Sequence, residues 1–340
     1  MTVDGGSKQM RAFVTGGSGF IGGHLISSLL GRGFEVGALV HRTPIRNGPR
    51  LQFVSGDICD REDLEPALEG VDVLFHLASA LGSRIIGQAE FHRINVLGTE
   101  TVLEAARRTG VGRIVHVSSA GVFGAVRNGE VVEESSSPAP ITVYDRTKLE
   151  GEEIALRFAG EESDVVIVRP GWAYGPRDRR TFKLIKSVCG GRFMMVTRGS
   201  CRQTPVFIDD LVKGILLASE KGERGGIYHL AGREIMTVRE MVRATALACG
   251  KRPPRFFLPL FPARLAARLL ETAYKPIGKE APFNRSKLSF FIHSKPLSIE
   301  KARRELGFEP DVCFQNGINR TIFWYRNEGW LPYPPGKSGS

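Results

Sequence analysis

Gly16-x-x-Gly19-x-x-Gly22 limits the folds open to this chain more than any other stretch of it. The triplet follows the apolar run Ala12–Thr15 and precedes Phe20, Ile21, Leu25, Ile26, Leu29 and Leu30, which recur at helical spacing. Strand, glycine turn and amphipathic helix in that order open a βαβ unit. Gly31 and Gly33 stop the helix, and Phe34–Val40 is the next apolar run. The alternation then continues. Strands are predicted over Leu51–Val54, Val71–Leu77, Arg113–Ser118 and Asp164–Val168, with helices over Glu62–Leu68, Ala89–Thr109 and Val143–Ala159. Strands alternating with helices imply a parallel sheet covered on both faces, and right-handed crossovers make it doubly wound, an α/β fold.

Beyond Arg169 the chain changes character. Residues 1–168 hold 16 Lys/Arg against 22 Asp/Glu, and residues 169–340 hold 31 against 14, so net charges of −6 and +17 make up the total of +11. The basic half suits an anionic small molecule, a membrane surface or nucleic acid, or is simply a solvated surface. In it, strands are expected over Val206–Asp209 and Ile227–Leu230, with helices over Asp210–Ser219, Thr237–Cys249, Ala263–Ala273, Ile299–Leu306 and Asn316–Glu328. The expected division is a first domain over 11–170 to which 205–232 returns, a lobe from 171–204 and 233–331, and tails at 1–10 and 332–340. No apolar stretch reaches the roughly 18 residues a membrane span needs, and the N-terminus has no apolar core of a secretory signal, so a cytoplasmic protein is expected. The cysteines Cys59, Cys189, Cys201, Cys249 and Cys313 are odd in number and widely spaced, which argues against a disulfide framework or a zinc site. No metal is expected.

Glycines at 16, 19 and 22 bring backbone N–H groups and a helix N-terminus close to an anion, as a dinucleotide pyrophosphate requires. Where the second strand ends, the residues are His41 and Arg42 rather than an acid. An acid there would hold a ribose 2′-hydroxyl, whereas Arg42, assisted by His41, would pair with a 2′-phosphate. NADP(H) is therefore expected over NAD(H). Asp57 and Ile58 end the third strand, where a carboxylate and an apolar side chain suit an adenine amino group and ring face. Tyr144 and Lys148, four apart on a predicted helix, share a face. A phenol is a poor acid–base at neutral pH unless a neighbouring ammonium stabilises its anion. Ser118 and Ser119 end the preceding strand, and one of them could hold a substrate oxygen against Tyr144.

Taken with Asn95-Val-Leu-Gly-Thr99, Ser119-Ala-Gly-Val-Phe-Gly124, Arg169-Pro170-Gly-Trp-Ala-Tyr174-Gly175-Pro176 and Phe207-Ile-Asp209-Asp210-Leu, this ordered set resembles the extended short-chain dehydrogenase/reductase superfamily, the NAD-dependent epimerase/dehydratase family. The likeness runs over about residues 11–331. It implies a Rossmann-like doubly wound parallel sheet with a smaller α+β C-terminal substrate lobe. It further implies Tyr144 as general acid–base, Lys148 as its activator and ribose ligand, Ser119 as the oxygen-orienting hydroxyl and a part for Asn95. Phe20, Ile21, Leu77, Ala78, Ser79 and Pro170 would join the glycines, Asp57 and Ile58 around the cofactor. A homodimer through helices near 90–108 and 144–158 is also implied.

Within the family, sugar 4,6-dehydratases carry an Asp-Glu pair after the catalytic hydroxyl, and this chain has Ala120-Gly121. The Phe- and Leu-rich segment Arg255–Leu306 is similar to the lobe of the hydroxysteroid-dehydrogenase-like and dihydroflavonol-reductase-like branch, and its composition suits an apolar substrate. Core packing is preferred to an interfacial role for Ala263–Ala273. The expectation is an enzyme: an NAD(P)-dependent oxidoreductase interconverting a carbonyl and an alcohol on a fairly apolar small molecule. A nucleotide-sugar epimerase is the alternative, because Arg177–Arg202 could hold a diphosphate. A non-catalytic dinucleotide sensor comes third, and nothing in the sequence marks a nucleic-acid partner.

Overall fold

Strands whose residues are apolar without alternation have to be buried on both faces, and in this structure, a computed structural model, Val165–Val168 have no solvent exposure at all. Residues 9–41, 47–81, 86–127, 129–161, 163–277 and 281–333 are described. The first part of the chain forms β1 (Arg11–Thr15), α1 (Phe20–Gly31), β2 (Glu35–Val40), β3 (Leu51–Ser55), α2 (Arg61–Leu68), β4 (Val73–His76), α3 (Gln88–His92), α4 (Gly98–Arg108), β5 (Arg113–Val117), α5 (Val143–Gly160) and β6 (Val165–Pro170). Then come β7 (Trp172–Tyr174), α6 (Arg179–Cys189), β8 (Met195–Val196), β9 (Arg202–Gln203), β10 (Pro205–Phe207), α7 (Ile208–Lys221) and β11 (Ile227–Leu230). The chain continues through β12 (Met236–Thr237), α8 (Val238–Ala248), β13 (Phe257–Leu258), α9 (Leu260–Tyr274), α10 (Arg285–Ile292), α11 (Glu300–Leu306) and α12 (Phe314–Asn327).

The main sheet has seven strands in the order β11-β6-β5-β4-β1-β2-β3, and the pairings are parallel. Chain direction across the sheet reverses between β1 and β4. That switch point opens a crevice at the carboxyl ends of the strands, where ligands bind in folds of this type. One face packs Val14, Leu25, Leu29, Leu211 and Ile215 together. The other packs Leu74, Val102, Leu103, Phe158 and Ile167. A third cluster, with Val188, Met195, Val242, Ala246, Ala263 and Leu288, forms the core of the C-terminal lobe.

Several elements differ from expectation. The single helix expected over Ala89–Thr109 is interrupted by a π-helical segment, Arg93–Leu97. The helix expected from Asp210 begins at Ile208, directly after β10. Helix α6 lies in the basic stretch where no helix was expected; it buries Thr181, Ile185 and Val188, spaced i, i+4 and i+7 with its charges on the other face, a period the sequence did carry. Cys189 and Cys249 are not incidental thiols. They pair as a disulfide between the ends of α6 and α8, with Cα atoms 5.2 Å apart across 60 residues. Sequence spacing cannot show a proximity that arises from packing one helix on another.

Arg169 and Glu152 form an ion pair with side chains 3% and 1% exposed. Arg169 Nε donates to Glu152 Oε2 at 3.0 Å, and its Nη2 donates to Oε1 at 2.5 Å. The guanidinium also stacks over the Phe123 ring, 4.9 Å from the centroid, and donates to the Glu134 carbonyl. Removing one partner of such a pair leaves a buried charge uncompensated. Arg169→Met is therefore expected to lower unfolding free energy by about 3–5 kcal/mol in urea titration, and adding Glu152→Leu should restore much of the loss. A single-variant loss below about 1 kcal/mol would show that the pair is solvated in solution.

Candidate active site

The glycine turn has the shape its sequence suggests. Gly16 adopts φ +74°, and a Cβ there would stand 2.8 Å from the Ala78 nitrogen, so the turn lies directly against the loop that follows β4. A Cβ at Gly22 would collide with the Gly16 carbonyl oxygen. The N-cap of α1 is Gly19, which gives no side-chain cap. The backbone N–H groups of the first turn thus face the crevice with the positive end of the helix. This cradle, which any Cβ would fill, fits a dinucleotide pyrophosphate.

Loop 77–80 is held by Asn95, which is 1% exposed. Asn95 Oδ1 accepts from the Ala80 N–H at 2.7 Å and from the Ser79 hydroxyl at 3.0 Å. Its Nδ2 donates to Thr147 Oγ1 on α5 at 3.0 Å. Gly151 permits this approach, because a Cβ there would stand 2.5 Å from the Asn95 carbonyl oxygen. The structure therefore gives Asn95 a clamping position between loop 77–80 and α5. Pro170 ends β6, buried at the same edge of the sheet.

Thr142 caps α5 in a capping box with Asp145: the Thr142 hydroxyl accepts from the Asp145 N–H at 3.1 Å, and Asp145 Oδ2 accepts from the Thr142 N–H at 3.2 Å. The box fixes where the helix starts, so Tyr144 falls in its first turn and Lys148 one turn later. Ser119, beyond β5, caps a short 3₁₀ turn, Ala120–Phe123, and accepts from the Gly121 N–H at 3.0 Å. Burial pushes the Tyr144 phenol above its ordinary value, while Arg180 and hydrogen bonding with Ser119 and Ser79 oppose that rise. The hydroxyls of Ser79, Ser119 and Tyr144 thus meet beside the glycine turn. Ser118, the other hydroxyl of the pair, is 5% exposed and its Oγ has no partner among the described residues.

Lys148 is 2% exposed, and its Nζ donates to the Val117 carbonyl at 2.9 Å. Burial lowers its pKa to about 8, against a smaller opposing pull from Glu152. Beneath it lie two buried histidines, His76 and His116, with ring centroids 5.3 Å apart. Burial and then the Lys148 charge hold His76 neutral, with a pKa of about 3. Its Nδ1 lies 2.7 Å from Thr15 Oγ1 and its Nε2 lies 3.1 Å from Thr99 Oγ1, which donates onward to the Asn95 carbonyl. Because that bond uses the Thr99 proton, His76 must carry its own proton on Nε2 and accept from Thr15. Sequence reading missed this chain of Thr15, His76 and Thr99, as well as Thr147; a histidine closing an otherwise apolar strand was the available signal.

Other sequence candidates are placed differently. His41 is exposed at the end of β2, and Arg42 lies outside the described residues. Asp57 Oδ1 accepts from the Cys59 N–H, and its Oδ2 accepts from Arg93 at 3.0 Å. Partial burial raises the Asp57 pKa, but these bonds outweigh it and hold the carboxylate below its ordinary value. Ile58 is 8% exposed and belongs to the core, packed where a Cβ on Gly98 would meet it. Phe20 and Ile21 lie in the first turn of α1, half-buried. Trp172 meets the lobe at Phe290, with ring centroids 5.2 Å apart and planes tilted by 39°. Of the two positions, Ala120 and Gly121, where 4,6-dehydratases carry acids, Gly121 faces a carboxylate: a Cβ there would meet Asp145 Oδ1.

The chain is also similar to known proteins over most of its length. The model of the NAD dependent epimerase/dehydratase family matches residues 12–231. A 4-hydroxy-2-methyl-3-oxo-4-farnesyl-3,4-dihydroquinoline-1-oxide ketoreductase of Stigmatella aurantiaca is 35% identical over 91% of this chain and 95% of its own length. Sterol demethylase protein B of Methylococcus capsulatus is 32% identical, covering 95% of this chain and 100% of its own. Among solved structures, the dTDP-glucose 4,6-dehydratase DesIV of Streptomyces venezuelae, with NAD bound, superposes with a TM-score of 0.77 at 31% identity, over 95% of this chain and 99% of that one. This chain therefore belongs to the NAD-dependent epimerase/dehydratase family, as an NAD(P)-dependent dehydrogenase/reductase of the extended short-chain type.

Proposed function

We propose that the enzyme interconverts a ketone and a secondary alcohol on an apolar, polycyclic or isoprenoid-bearing small molecule, with Tyr144, Lys148 and Ser119 as its acid–base group. The observation that carries this reading is the meeting of the Ser79, Ser119 and Tyr144 hydroxyls beside the glycine cradle, one helical turn from a buried ammonium. When bound, the dinucleotide supplies or accepts the hydride. In the reducing direction the Tyr144 O–H gives its proton to the substrate oxygen, and Ser119 Oγ holds that oxygen by a hydrogen bond. The Lys148 ammonium then stabilises the phenolate. Asn95 positions the Ser79 loop and α5, and we assign it no contact with substrate.

Relatives whose names specify a farnesylated quinoline oxide and a sterol support an apolar substrate. The blocked space at Gly121 weighs against dehydration of a sugar. For the cofactor we propose NADP(H), because His41 and Arg42 follow β2 where an acid would repel a 2′-phosphate. DesIV holds NAD.

Tyr144→Phe should lower turnover by about 100-fold or more, while fluorescence titration should show cofactor binding unchanged; near-wild-type turnover would remove Tyr144 from the chemistry. For the cofactor, the purified enzyme should bind NADPH better than NADH. Arg42→Ala should weaken NADPH binding by about tenfold, the value of one charged hydrogen bond, and leave NADH unaffected. Equal loss for both would place Arg42 over the adenine instead.

The Lys148 ammonium also has a stability consequence. Its folded pKa of about 8 lies below the ordinary 10.5, so between those values the unfolded chain binds more protons and stability rises with pH. Below pH 8 the cost of burying the charge is fully present. Lys148→Met should therefore be the more heat-stable protein at neutral pH, inactive, with its advantage shrinking as pH rises from about 8 to 10.5. A pH-independent difference would show that Lys148 is solvated.

A further inference from the structure

Helix α9 presents its apolar side chains in the wrong direction for a helix of a soluble lobe. It buries Ala263 and Ala267 against the lobe core. Phe261, Leu265 and Leu269, spaced by four and so on one face, are 79%, 50% and 62% exposed. Further exposed apolar side chains flank the helix in sequence. Phe256 and Phe257, just before it, are 82% and 44% exposed, and Ile277, just after it, is 59% exposed. Strand β13 pairs with β8 so that Phe257 stands opposite Met195, which sets the exposed Met194 beside Phe256. Isolated exposed apolar residues are ordinary, but a group of this size marks a contact surface.

The charges around it select the partner. Residues 251–277 hold Lys251, Arg252, Arg255, Arg264, Arg268 and Lys275 against one acid, Glu271. All six basic residues are exposed, and Glu271 is occupied by Arg285, whose Nε donates to it at 2.8 Å. Arg264 and Arg268 fall one turn apart on the flank of the Phe261–Leu265–Leu269 stripe. A second copy of this face would bring like charges together. An apolar stripe rimmed by arginine matches the depth and charge of an anionic bilayer surface: rings and Leu side chains enter the acyl boundary and the guanidinium groups meet the phosphates. No helix among the described residues is long and apolar enough to cross a membrane, so the contact lies in the interface plane.

We propose that the face formed by Phe256, Phe257, Phe261, Leu265 and Leu269 docks this enzyme on an anionic lipid surface. Docking would place the enzyme where a membrane-dissolved ketone or alcohol resides. Lipid binding does not depend on the substrate assignment and is read without turnover, so either can fail separately.

The experiment is vesicle flotation of the full chain, with equimolar phosphatidylcholine and phosphatidylglycerol and with phosphatidylcholine alone. Wild type should float with the anionic vesicles, and less with the neutral ones or in high salt. Phe261→Ser/Leu265→Ser/Leu269→Ser should lower partitioning by about tenfold or more. Arg264→Gln and Arg268→Gln should each lower it about fivefold on anionic vesicles. These side chains are exposed, and an unchanged thermal midpoint together with unchanged cofactor binding would show the variants folded. Wild type remaining in the aqueous layer, or equal flotation of the triple variant, overturns the proposal. So does a dimer that the triple variant dissolves while vesicle binding stays absent, which would assign the face to a second copy.

Discussion

The side-chain amide of Asn95 ties together the parts on which this site depends. It is buried, and its oxygen and nitrogen reach the loop after β4 and helix α5. Gly16 lies against that loop, and α5 carries Tyr144 and Lys148. One amide thus sets the glycine cradle and the phenol in a common frame. A buried amide left half-satisfied would cost more than its bonds contribute, so its partners hold one arrangement. The π-helical segment at Arg93–Leu97 and the missing side chain at Gly151 are the local features that let the amide reach both sides.

Two buried charge arrangements differ in what they do. Arg169 and Glu152 are paired, stacked on Phe123 and saturated; they join β6 to α5 from within. Lys148 is buried with one carbonyl partner and neutral histidines beneath it. No carboxylate lies within ion-pair distance of its ammonium among the described residues. Unsatisfied buried charge of this kind reduces stability and is characteristic of sites where charge must be stabilised during a reaction. A paired carboxylate separates the structural arginine from the proposed catalytic lysine here.

Much of this was legible in the sequence. Strand runs such as Val165–Val168, the glycine spacing and the four-residue interval from Tyr144 to Lys148 are local patterns, and local patterns survive into the fold. The contacts around Asp57 and Ile58 were not legible: Arg93 pairs with the carboxylate from a π-helical segment, and Ile58 packs into the core at Gly98. Neither partner is near in sequence. The Cys189–Cys249 bridge was hidden for the same reason, since only the packing of α6 on α8 brings those residues together.

Helix α9 separates most plainly what a sequence decides by itself from what tertiary structure decides. Its periodicity makes it a helix with a Phe/Leu stripe, and such a stripe ordinarily turns inward. Here the alanines turn inward, because small residues allow close approach to the lobe core at Ala263 and Ala267. Phe261, Leu265 and Leu269 are left outside. The sequence by itself determined the parallel sheet, the glycine turn before α1 and the Tyr-Lys face, since each follows from the spacing of neighbours along one element. The tertiary structure decided the clamping position of Asn95, the burial of Ile58, the cysteine pairing and the outward face of α9. Each of those depends on which surface of another element a residue meets, and no period within one element carries that information.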